Sequence, residues 1–109
     1  MEIITIKEVP VRENKRGVSA RFLIDRQAVV VSNVVLQDGE AVPTHITPVD
    51  VFFHVLEGRG TVEIGEESQV VSEGQIIVSP ANIPHSLKAN QGKAFSVLVV
   101  KTPNPDKTS

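Results

Sequence analysis

No stretch of this chain carries a helical period of useful length. What recurs instead is a short run of β-branched residues stopped by glycine or proline. The clearest run is Val29-Val30-Val31-Ser32-Asn33-Val34-Val35-Leu36, which is apolar on both faces and so needs both faces covered. Valine dominates the apolar set, and neither Trp nor Tyr is present. The 7 glycines and 7 prolines are spread as punctuation rather than gathered into a linker. β-Branched side chains fit a pleated, half-buried surface. The expected fold is therefore all-β, a sandwich or barrel with no substantial helix.

With 109 residues the chain is expected to form one domain that buries roughly 65% of its unfolded surface, enough for a core without staples. The absence of cysteine excludes a disulfide framework, a thiolate metal site and a thiol nucleophile, and fits a reducing, cytoplasmic setting. A net charge of −2 offers no electrostatic case for nucleic acid. No apolar run approaches the length of about 20 residues that a membrane helix needs. The first residues, Met1-Glu2-Ile3-Ile4-Thr5, lack the basic start and apolar segment of a signal peptide.

The pattern predicts strands over residues 3–9, 18–25 and 29–36, then a hairpin made of strand 51–57, the turn Gly58-Arg59-Gly60 and strand 61–64. Further strands are expected over 68–72, 75–78, 85–88 and 94–100, with a proline-fixed loop at 80–84 and a turn at 90–93. A single barrel domain over residues 1–101 is followed by a polar, proline-broken tail, 102–109, expected to fray.

The candidate chemistry lies in two stretches, 39–60 and 74–90. Alternation with period two puts His45, Thr47, Val51, Phe53 and Val55 on one face of the first. His45 itself reads as the end of a loop after Pro43-Thr44. Asp50 reads as a carboxylate that satisfies turn backbone groups. Phe52, His54 and Leu56 fall on the opposite face; a strand apolar on both faces needs a second cover, which points to a homodimer with His54 at its interface.

Gly39, His45, Thr47, Val51 and Gly58 follow the spacing of the first motif of the cupin family. Gly74, Pro80, Asn82, His85 and Ala89 follow the second, so that residues 36–100 resemble a small cupin domain. The resemblance implies a jelly-roll β-barrel, usually dimeric, with its site inside the barrel. Cupins that hold a metal generally offer two histidines and a glutamate from the first motif and a histidine from the second. The matching positions here are His45, Thr47, Val51 and His85, an incomplete set for zinc, nickel, iron or manganese, since firm binding takes at least three donors. A glycine of the second motif is replaced by Asn82, which also tolerates left-handed backbone.

Three functions stay open at this point. One is a barrel pocket for a small organic ligand, paired across the barrel by His45 and His85 and walled by Thr47, Val51, Phe53, Val55 and Leu87, with acid/base chemistry of an isomerase or cyclase kind. The second is a divalent-metal oxygenase or isomerase using His45, His85 and a third donor. The third is a ligand-sensing or interaction module without catalysis. Whether the chain is an enzyme is not decided by sequence, since this fold hosts many functions.

Overall fold

The computed structural model describes residues 1–90, 92 and 94–107. Short β-branched runs form β1 (Arg12–Glu13), β2 (Ser19–Asp25), β3 (Val30–Leu36), β4 (Ala41–His45), β5 (Asp50–Glu57), β6 (Arg59–Ile64), β7 (Glu67–Ser72), β8 (Ile76–Ser79), β9 (His85–Ala89) and β10 (Phe95–Thr102). They build two antiparallel sheets, ordered β1-β2-β3-β10-β5-β8 and β4-β9-β6-β7. From β3 onward the chain repeatedly crosses from one sheet to the other, which is the path of a jelly roll.

Period-two alternation sorts the side chains as expected. Val51, Phe53 and Val55 of β5 and Phe95, Val97 and Val99 of β10 point between the sheets and are all buried. Leu87 and Ala89 of β9 face them from the other sheet, with Val62, Val71 and Val42 alongside. Strand β3 meets the core on one face, while on the outer face Val31 and Val35 are only half-buried, short of the full cover its composition led one to expect. Val34 and Leu36 enter the core, and Asn33, on the outer side, is 1% exposed. That buried amide is fully engaged. Its Oδ1 accepts from Arg21 Nη1 (2.9 Å), and its Nδ2 donates to Ser96 Oγ (2.9 Å) and to the Val97 carbonyl (3.2 Å).

Four further expectations are corrected. Residues 3–9 form no strand: a 3₁₀ turn, Ile6–Glu8, lies there instead, and Ile3 is exposed. Strands β5 and β6 form no hairpin. β5 pairs with β10 and β8, whereas β6 pairs with β9 and β7, so Gly58-Arg59-Gly60 is a corner that switches sheets. The corner requires its glycines. Gly58 has φ +82°, and a Cβ on it would strike the Ala94 carbonyl; a Cβ on Gly60 would strike the Phe95 ring. The hairpin of this region is β6–β7, turned at Gly65-Glu66. His45 does not end a loop but closes β4. The tail is fastened as far as Lys107: Asn104 is fully buried and donates from Nδ2 to Asp25 Oδ1 (2.7 Å) and from its backbone N–H to the Gln27 carbonyl (3.0 Å). The turn expected at 90–93 lies partly outside the described residues.

Candidate functional site

Strands β4 and β9 run antiparallel side by side, with His45 directly opposite His85. The two imidazoles are therefore neighbours within one sheet, where the sequence placed them across the barrel from each other. The register explains how His45 comes to point inward. From Val42 to His45 strand β4 advances three residues while β9 advances two, from Leu87 to His85. The extra residue is a β-bulge, which lets even-numbered Val42 and odd-numbered His45 share the inner face. Pro43 sits in that bulge, on a strand that has one neighbour only, where a missing N–H costs little.

The hydrogen bonds fix both tautomers. A carbonyl oxygen only accepts, so His45 Nδ1–H donates to the Pro43 carbonyl at 2.9 Å and leaves Nε2 as an acceptor. His85 Nε2 lies 3.1 Å from His45 Nε2 and must supply the proton. His85 Nδ1 is then an acceptor, and the Ser79 hydroxyl donates to it at 2.7 Å. The result is a directed chain, Ser79 to His85 to His45 to the Pro43 carbonyl. Thr47 Oγ1 stands 3.4 Å from His85 Nε2 as a weaker second acceptor. Rings also pack edge to face: His45 on His85 at 4.5 Å between centroids, and Phe53 on His85 at 5.4 Å.

Burial dominates the electrostatics. His85 is 3% exposed. Desolvation, followed by the charges of His45, Lys101 and Arg16, takes its pKa from 6.5 to about 4. His45 is lowered as well, chiefly by desolvation, against the opposing pull of its bond to the Pro43 carbonyl, with Arg16 and Lys101 adding to the lowering. Both rings are neutral at pH 7.

The loop after β8 positions this chain. Asn82 adopts φ +66°, the left-handed geometry expected of it, and its N–H donates to the Thr47 carbonyl at 2.9 Å. Asp50 Oδ1 accepts from the Ala81 N–H at 3.0 Å, the backbone role read from sequence.

The imidazoles open onto a cavity of about 60 Å³ between the sheets, which Phe53 and Leu87 also line. Thr47 reaches the site through His85, and Val51 and Val55 lie in the surrounding core rather than on the cavity wall. Three participants were missed in the sequence. Lys101 is the inward residue that follows Phe95, Val97 and Val99 on β10, which period two would have found had the strand been extended. Ser79, fully buried at the end of β8, follows Ile77 by the same rule. Arg16 comes from the 14–17 turn, and no local signal marks it. A larger groove of about 940 Å³ runs past β7 and β8 and contains Val70, Ile76 and Ile83. Its acids are Glu66 and Glu67, and no histidine lines it among the described residues.

Among the described residues no group of three His, Cys, Asp or Glu converges. Two imidazoles, a neutral hydroxyl and two flanking cations, Arg16 and Lys101, do not fit a firmly held divalent metal, which takes at least three imidazole, carboxylate or thiolate donors.

The family model for the cupin domain matches residues 32–101. This chain belongs to the cupin family. It is 27% identical over 86 residues to the uncharacterized protein MJ0764 of Methanocaldococcus jannaschii, covering 78% of this chain and 74% of that one. Among solved structures it is similar to TT1209 from Thermus thermophilus, with TM-score 0.85 and 26% identity over 96% of this chain and 100% of that one. The polyketide cyclase RemF from Streptomyces resistomycificus shares the fold at TM-score 0.83 and 20% identity, covering 94% of this cupin and 79% of RemF. Among the described residues no helix is long and apolar enough to cross a membrane.

Proposed function

We propose that this cupin is a cytoplasmic small-molecule-binding protein that carries out acid/base chemistry of an isomerase or cyclase kind at His45 and His85. The observation that carries the reading is the contact of His45 Nε2 with His85 Nε2 at 3.1 Å on the wall of a cavity that also has an apolar side. One nitrogen offers a lone pair and its neighbour offers a proton, so a ligand group that parts them meets a base and a donor side by side. His45 takes a proton from one atom of the ligand, becomes imidazolium, and returns the proton at another atom. His85 stays neutral throughout and donates from Nε2–H to the oxygen on which charge develops, its tautomer held by Ser79. Its lowered pKa supports that role, since a neutral ring is the form present at pH 7.

The test is a thermal-melting screen against small hydroxy acids, keto acids and phenols, repeated on the His45→Ala/His85→Ala double variant. Ligands that raise the wild-type melting temperature are expected to lose that effect in the double variant. A shift retained in full would contradict the site.

A further inference from the structure

We propose that the cavity is a receptor for the carboxylate of a small organic acid, with Arg16 and Lys101 as its charged contacts; this deepens the ligand-pocket reading and rests on it. The ionisable groups that line the cavity are Arg16, Lys101, His45 and His85, and no Asp or Glu joins them among the described residues. That is not an average sample of this chain, where 13 acids outnumber 11 Lys and Arg. Of the other described cations, Lys7 pairs with Glu57, Arg26 with Glu2 and Lys107 with Asp25, while Arg12, Lys15, Arg21, Arg59 and Lys88 have no acid within 4.0 Å among the described residues. No such pair within 4.0 Å is formed by Arg16 or Lys101 among the described residues.

Lys101 is half-buried at the inward end of β10, and its ammonium is destabilised by burial first and by the Arg16 charge second. Asp106 acts on it in the opposite sense and Lys15 adds to the repulsion. Exposed Arg16 stands at the rim and half-buried Lys101 further in, so their repulsion raises the free energy of the empty cavity, and an anion offsets that cost as it enters. The turn that carries Arg16 is ordered by Asn14, whose Oδ1 accepts from the N–H groups of Arg16 (2.9 Å) and Val18 (3.1 Å). The remaining wall includes Val34, Val42, Leu87 and Val99, and the volume, about 60 Å³, suits a carboxylate on a short aliphatic stem rather than a drug-sized ligand. Phosphate sites are typically made by successive backbone N–H groups at a helix N-terminus or glycine-rich loop, and this wall is built of strand side chains instead. A guanidinium and an ammonium facing an apolar wall match a carboxylate better.

Calorimetric titration at neutral pH and low salt tests this with propionate, lactate and malonate, each beside its amide, and with inorganic phosphate. At least one acid is expected to bind while its amide does not, and Lys101→Met and Arg16→Gln are each expected to weaken it by roughly tenfold or more. Lys101→Arg should restore part of the loss, which separates lost charge from lost folding. Binding of amides as tight as acids, phosphate as tight as the acids, no heat from any acid at millimolar concentration, or acid affinity untouched in both cation variants would each overturn the proposal. The two readings fail separately. Acid binding lost in His45→Ala/His85→Ala but kept in the cation variants removes the anion receptor and leaves the histidine pocket. Loss in the cation variants with full retention in the histidine variant does the reverse.

Discussion

His45 and His85 share one hydrogen bond, Nε2 to Nε2 at 3.1 Å, and it holds only while one ring donates and the other accepts. A proton added at His45 Nε2 would set two N–H groups against each other. The pair is thus a contact that acid breaks, built into the sheet beside the cavity.

Stability should also follow the protonation of His85, whose free nitrogen Nδ1 accepts from Ser79. His85 has a folded pKa of about 4 against 6.5 for the ordinary ring, so between these values the unfolded chain binds more protons and stability rises with pH. The contribution is fully present above about pH 6.5 and is lost as pH falls through 4, amounting to about 3 kcal/mol at most for this buried ring. Urea unfolding from pH 7 to pH 4 is expected to show a steeper loss for wild type than for His85→Gln. Parallel curves would show that His85 is not the titrating group.

Ser79→Ala removes the hydroxyl that donates to His85 Nδ1 and leaves that buried nitrogen without its partner. The expected cost is about 1–3 kcal/mol, read from the urea midpoint. Nitrogen NMR of His85 should also shift from one tautomer toward a mixture. An unchanged midpoint and tautomer would mean that the serine does not orient the ring.

Much of this site is legible in the sequence alone, and the failures have physical causes. Period two correctly turned Val51, Phe53 and Val55 inward, because β5 is regular along its inner face. It could not foresee β4, where Pro43 speaks against a strand; the proline is accommodated because β4 is a sheet edge and carries a bulge. The sequence Gly58-Arg59-Gly60 looks the same whether it closes a hairpin or turns a corner between sheets. Phe95, 35 positions beyond Gly60, decides between them by packing where a side chain would stand. Arg16 and Lys101 meet at the cavity only through the tertiary path, so spacing along the chain could not join them.

That corner offers its own test. A Cβ at Gly60 would overlap the Phe95 ring and come within 2.6 Å of the Lys88 carbonyl, so Gly60→Ala is expected to destabilise by about 1–3 kcal/mol or more through overpacking. Calorimetry should show a melting temperature lower by roughly 4–8 °C for each kcal/mol. A neutral substitution would contradict the packing described for β10 against β6.

The outer face of the larger sheet tests the homodimer expected from sequence. Phe52 pairs with Val78 and His54 with Ile76; Val78 is 69% exposed and Ile76 59%, an apolar cluster on the rim strand. Sedimentation should give a dimer for wild type and a folded monomer for Val78→Asp or Phe52→Asp. A wild-type monomer would leave this face without the expected partner.

The central claim is that His45 and His85 form an organic-ligand pocket rather than two corners of a metal cage. Crystallography of the untagged protein as purified, with anomalous data collected at the absorption edges of zinc, nickel, iron and manganese, tests it most directly. The imidazoles are expected in contact with each other or with an organic molecule, with Lys101 and Arg16 turned to its acidic end and no anomalous peak between the rings. A peak at about 2.0–2.1 Å from both Nε2 atoms, the bond length of a metal-bound imidazole, would contradict it.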